Sequence, residues 1–297
     1  MTLGSKAPPI PPPDSITLQK ILDAMKEYAL TYTANLPNFV CVEVTRQAVD
    51  PNAGDNYHSM GTILAKVSYN EGQEHYNVYS INGKLTDTIM DKVGGGGARS
   101  TGEFASLMRE IFDPKSETVF NWERWGTIRG RRMAVFNYSI DSAHSNYALS
   151  YGSGGDEQHI ITAYKGLVYA DPSTGEISRI QFVAVNIPKS FPVKDTSETL
   201  DYDLTDISGK QYVVPLAVRL VAHYGRESAQ NEIEFRNYRK YGTDSSIKYD
   251  VNTDPTSLAP LPDNETKEQP AESSKSPAPP SNGNPFALPT AAPPPPK

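Results

Sequence analysis

Residues 93–102 read VGGGGARSTG and lead into EFASLMREIFD. A glycine-rich turn ahead of a helix is phosphate-binding chemistry, because free backbone N–H groups and the helix N-terminus both face the anion. The phosphate loop needs G-x-x-x-x-G-K-[ST]. Counting from Gly94, Arg99 stands at the second glycine and Ser100 at the lysine, and LTDTIMDKV before it is too mixed for the buried strand such a loop follows. Ser100 and Glu103 instead have the S-x-x-E spacing of a helix capping box, with Gly94, Gly95, Gly96 and Gly97 as a mobile lead-in. The expectation is a lid over a cavity mouth, built from those glycines, Phe104 and Leu107, with Arg99 beside the helix end as an anion contact.

Other chemistry-bearing residues are scattered. His58, His75, His144, His159 and His223 share no metal-ligand spacing, and no G-x-S-x-G nucleophile elbow occurs. The single Cys41 lies within FVCVEV and reads as a buried structural thiol. Asp201 with Asp203, and Glu232 with Glu234, each share one face of a strand whose other face is apolar, so a solvated outer face is expected. NWERWGTIRGRRMAVF gathers both tryptophans and four arginines. It reads either as a charged turn over core aromatics or as a basic rim of Arg129, Arg131 and Arg132 beside an apolar pocket. The pattern does not decide whether Trp122 or Trp125 points inward. No catalytic, metal or cofactor constellation is found, so a non-enzymatic protein is expected.

The elements that must position these residues are mostly strands. DSITLQKILDAMKEYALTYTANLP is an amphipathic helix capped by Asp14 or Ser15, with Ile16, Leu18, Ile21, Leu22, Met25, Tyr28 and Ala29 near helical spacing. A short helix is expected over residues 101–112, stopped at Asp113–Pro114. About ten strands follow the alternating segments, hairpin-linked at 70–72, 129–130, 171–175 and 208–210, with a further turn at 82–83. An antiparallel sheet this large must curl and be covered. The predicted fold is therefore α+β: one strongly curved antiparallel half-barrel sheet wrapped around the long N-terminal helix and the short middle helix. Its interior would be lined by Trp122, Trp125, Phe136, Tyr138, Phe182 and Phe235.

Composition sets the limits of that domain. Of 25 prolines, five fall in residues 1–13 and thirteen from Pro255 onward. Expected are a disordered Pro-rich arm (1–13), one domain (14–251) and a disordered Pro-rich tail (252–297). The net charge of −7 argues against nucleic acid as partner. No apolar run approaches a membrane span. MTLGSKAPPI has no apolar h-region, so the chain is expected to be cytoplasmic, or periplasmic or secreted if a signal peptide was removed.

The hairpin GLVYADPSTGEISRIQFVA, together with the order long helix, strands, short helix and antiparallel hairpins, resembles periplasmic lipoprotein carriers of the LolA type and related lipid-binding envelope domains. LPNFVCVEVTR, TGEFASLMREIFDP, WERWGTIRGRR and NEIEFRNYRKYG also resemble secreted acidobacterial proteins, a likeness that spans residues 14–250 and implies no activity. The carrier resemblance implies a half-barrel holding a hydrophobic or amphiphilic molecule between sheet and helices, in the cell envelope. The alternative is an envelope interaction module whose interior is filled by its own side chains and whose partner is a protein.

Overall fold

The structure, a computed structural model, describes residues 10–89, 106–152 and 158–241, together with Thr266 and Lys267. Helix α1 (Ser15–Asn35) begins where Asp14 accepts the Thr17 N–H at 2.8 Å, a bond that holds the Asp14 carboxyl below the usual carboxylate range. Ile21, Met25, Ala29 and Tyr32 form its buried stripe, flanked by Leu18, Leu22 and Tyr28. Ile16 departs from the expected face and is 68% exposed. It precedes Ile21 by five residues, which places it about 140° round the helix from the stripe.

The strands are β1 (Phe39–Asp50), β2 (His58–Asn70), β3 (Gln73–Ile81), β4 (Lys84–Ile89), β5 (Val119–Ile128), β6 (Arg131–Ile140), β7 (Ala148–Tyr151), β8 (Gln158–Ile161), β9 (Ala163–Ala170), β10 (Ile177–Val185), β11 (Val193–Ile207), β12 (Lys210–Tyr224), β13 (Glu227–Lys240) and the two-residue β14 (Thr266–Lys267). Twelve of them form one open antiparallel sheet in the order β14-β5-β6-β9-β10-β11-β12-β13-β1-β2-β3-β4, and β7 pairs with β8 separately. The fold is the predicted curved α+β sheet with two helices. Four hairpins close through two residues of positive φ: Glu71–Gly72, Asn82–Gly83, Arg129–Gly130 and Ser208–Gly209. That twist matches the right-handed strands on either side. β4 goes beyond the expected set; it is an edge strand with Leu85 and Ile89 exposed, which is why its sequence lacks a buried pattern.

Helix α2 (Ser106–Phe112) supplies Met108, Ile111 and Phe112 to the core, and Phe112 stacks on Phe120. Both helices lie on one face of the sheet. There they pack against Phe136 and Tyr138 of β6, Tyr164 and Val168 of β9, Ile180 and Phe182 of β10, Leu200 and Tyr202 of β11, and Ile233 and Phe235 of β13. The β9–β10 turn reaches α1 so closely that a Cβ on Gly175 would lie 2.3 Å from the carbonyl carbon of Ala24. The hairpin β7–β8 closes another part of this region, with Leu149 against Ala184, Phe191 and Val193.

Candidate functional site

The helix-bearing face is built by cross-strand rows. One row runs Tyr138, Gly166, Phe182, Glu198, Leu220, Asn231 and Gln47 across β6, β9, β10, β11, β12, β13 and β1. The next runs Phe136, Val168, Ile180, Leu200, Val218, Ile233, Thr45 and Ile63. Side-chain alternation puts every member of a row on the same face. From β5 to β11 the face is aromatic and lies under the helices. Toward β12, β13, β1, β2 and β3 its character changes.

There Ile63, Ala65 and Val78 form a buried group to which, among the described residues, neither helix contributes. Leu220, Ala222 and Ala229 are buried nearby. Polar side chains punctuate the face from β11 to β1. Glu198 and Glu43 are each 5% exposed, and Asn231, Thr45 and Thr196 are buried with them. Thr45 Oγ1 donates to Glu43 Oε1 at 2.6 Å. Burial, then the charges of Glu198 and Glu110, push the Tyr138 hydroxyl well up, so it stays neutral and donates to the Gln181 carbonyl. Tyr164 donates to Glu110 Oε1 at 3.0 Å, tying α2 to β9.

All six interior aromatics named from the sequence lie on the helix-bearing face. Phe136, Tyr138, Phe182 and Phe235 are fully packed, and both tryptophans are half-buried beside them. A register shift between Trp122 and Arg124 explains why both tryptophans face the same way, since one extra residue restores the inward parity at Trp125. The Trp122 ring meets Trp125 edge-on at 4.9 Å and Phe136 at 5.5 Å, and Arg132 lies 4.2 Å over Trp125.

The structure places the turn arginines differently. Arg129 pairs with Asp203 at 2.8 Å and also contacts Asp201, while Arg131 pairs with Glu176 at 2.8 Å and reaches Asp203. Arg179, only 4% exposed, holds Asp201 through two bonds of 2.9 and 3.0 Å. The expected solvated acid face is therefore an ion-pair network: Asp201 and Asp203 share one face, as expected, but both are engaged. Glu234 likewise is buried between Arg46 and Arg236. Leu107 packs on the core from α2. Arg99, Gly94, Gly95, Gly96, Gly97 and Phe104 lie outside the described residues.

The remaining chemistry-bearing residues do not converge. His223 meets Asp195 at 2.5 Å, His159 meets Ser150 at 2.8 Å, and His144 meets Asp141 at 3.1 Å, in three separate places. Burial raises the Cys41 thiol well above its ordinary value. Among the described residues no group of His, Cys, Asp and Glu is arranged to hold a metal ion, and no helix is long and apolar enough to cross a membrane.

No family model matches this chain, and no curated protein is similar to it in sequence. Several solved structures are similar to it over most of their length. A LolA superfamily protein from Nitrosomonas europaea matches at 13% identity and a TM-score of 0.38, over 75% of this chain and 93% of the other. A domain named for outer membrane lipoprotein sorting, from Vibrio parahaemolyticus, matches at 11% identity and a TM-score of 0.40, over 80% and 97%. A DUF1329 family protein from Desulfovibrio piger matches at 9% identity and a TM-score of 0.36, over 78% and 95%.

Proposed function

We propose that this chain binds a lipid or other amphiphile in the cell envelope without transforming it. The observation that carries the reading is one curved sheet face that is aromatic and apolar from β6 to β11, has both helices on it, and ends in a separate apolar group of Ile63, Ala65 and Val78 on β2 and β3. These side chains are buried by the chain itself, so an acyl chain must part the helices from the sheet to enter, and it gains roughly 0.8 kcal/mol per methylene removed from water. The buried polar residues Glu198, Asn231, Thr45 and Glu43 give such a ligand fixed points of orientation. Trp122 and Trp125 lie on the same face at its β5 end, with Arg132 stacked over Trp125. Arg129 and Arg131 have their charge matched by carboxylates, so their removal acts on the fold first.

A second reading draws on the complete burial of Phe136, Tyr138 and Phe182 under the helices. It makes the interior a filled core and the chain an interaction module. Native mass spectrometry of the protein from its own organism, with lipid analysis of whatever co-purifies, separates the two. The carrier reading expects a stoichiometric amphiphile. A bare mass that stays unchanged after incubation with envelope lipids refutes the carrier and favours the module.

A further inference from the structure

The Pro-rich arm enters the described structure at Ile10, and its path is specific. Residues 10–13 read IPPP and adopt neither helix nor strand before Asp14 caps α1. Ile10, Pro11 and Pro12 each precede a proline, so their backbones are driven to extended or polyproline-II geometry. That geometry leaves its carbonyls without internal partners. The Trp125 indole N–H donates to the Pro11 carbonyl at 2.9 Å. An indole N–H is a donor only, and a Pro-Pro-Pro run offers acceptors only, so the pairing is chemically complementary.

The surroundings fit the same ligand. Trp122 and Trp125 meet edge-on, and Arg132 stacks on Trp125, which fixes that ring. A rigid, half-exposed aromatic pair with an indole donor at its edge is how proline-rich segments are read, because the pre-formed helix loses little entropy on docking. Lys267, of the two-residue strand β14, pairs with Gly126, the residue after Trp125, so this edge of the sheet already takes up an extended segment of the chain.

We infer that the Trp122–Trp125 shelf is a polyproline-II docking site, held by the chain's own residues 10–13 and open to a proline-rich partner that displaces them. The arm is a tethered competitor, so a partner in trans binds with an affinity reduced by the fraction of time the arm occupies the shelf. This assignment does not rest on the amphiphile reading.

The test uses the full chain and a variant carrying Pro11→Gly, Pro12→Gly and Pro13→Gly, which leaves Asp14 and the core unchanged. The two indole N–H resonances are assigned with Trp125→Phe, and a proline decapeptide is the probe. In the native chain the Trp125 indole should exchange slowly with deuterium. In the glycine variant it should exchange faster, and the decapeptide should restore its protection while binding about tenfold more tightly than to the native chain. Trp125→Phe should abolish the response. Equal indole exchange in the two chains, or equal decapeptide affinity for both, overturns the inference. A native-chain indole signal that moves with protein concentration also overturns it, because the occupant would then come from a second copy.

Discussion

The contact between the β9–β10 turn and α1 makes a sharp prediction about what fastens the helix to the sheet. Gly175 has φ +73°, and a Cβ there would sit 2.3 to 2.6 Å from the backbone of Ala24 and Met25. Neither neighbour is the flexible end of a side chain, so the turn or the helix must move. Gly175→Ala should therefore carry two costs. The left-handed conformation costs an L-residue about 1–2 kcal/mol. Forcing backbones apart in a packed contact adds roughly 1–3 kcal/mol. Gly209 is the control: its φ is +83° and nothing lies within 4 Å of its Cβ position, so Gly209→Ala carries the first cost alone. In urea unfolding, Gly175→Ala should lose about 3 kcal/mol and Gly209→Ala about 1 kcal/mol. For a domain of this size the larger loss corresponds to roughly 6–12 °C in Tm. Equal destabilisation by the two substitutions would refute the close approach of turn and helix, and with it the seating of α1 on the sheet.

Arg179→Ala should destabilise the fold by about 3 kcal/mol, because it strips a buried, doubly bonded partner from Asp201, and Arg179→Lys should recover only part in urea unfolding. Burial raises the hydroxyls of Tyr32, Tyr138, Tyr164 and Tyr238 far above the ordinary tyrosine range. Above about pH 10 the unfolded chain loses these protons while the folded chain keeps them, so stability present below that pH falls as pH rises. Tyrosinate absorbance should therefore appear together with the loss of sheet circular dichroism; tyrosinate forming well before unfolding would refute it. Glu198→Gln keeps the volume of a buried acid and should weaken amphiphiles with donor head groups several-fold while changing urea stability by no more than about 1–2 kcal/mol. Lower stability with unchanged ligand affinity would make Glu198 a purely structural residue.

Much of the sheet was legible because its turns announce themselves. Arg129–Gly130 and Ser208–Gly209 are two-residue turns whose glycines take positive φ, and the alternation on either side fixes the faces. Parity alone separates Leu200 and Tyr202 from Asp201 and Asp203. What the acids contact was not legible, since Arg129, Arg131 and Arg179 reach them from strands and turns distant in sequence. The inward parity of both tryptophans was hidden by the register shift in β5, because no glycine or proline stands at the shift itself, between Trp122 and Arg124. Pro215 shows the reverse: it lies beside a register shift in β12, where a missing N–H is tolerated, and Tyr238 donates to its carbonyl at 2.6 Å. Glu198 was within reach of the same parity that assigned Leu200 and Tyr202, but a charged residue in an alternating strand is read as solvent-facing by default.

The polar strip bears on which of the two functional readings the chain favours. A face meant only to be buried against its own helices gains most from uniform apolar side chains, since each buried carboxylate carries a desolvation cost that its partners must offset. Under α1 and α2 the face obeys that logic, with Met25, Met108, Phe136, Phe182 and Leu200 meeting there. Two carboxylates break it even so: Glu43 is buried in one row with Ala65 and Phe235, and Glu198 in another with Phe182 and Leu220. Each buried carboxylate therefore carries a desolvation cost that apolar residues in its place would not, and that cost is the feature a self-filled core leaves unexplained.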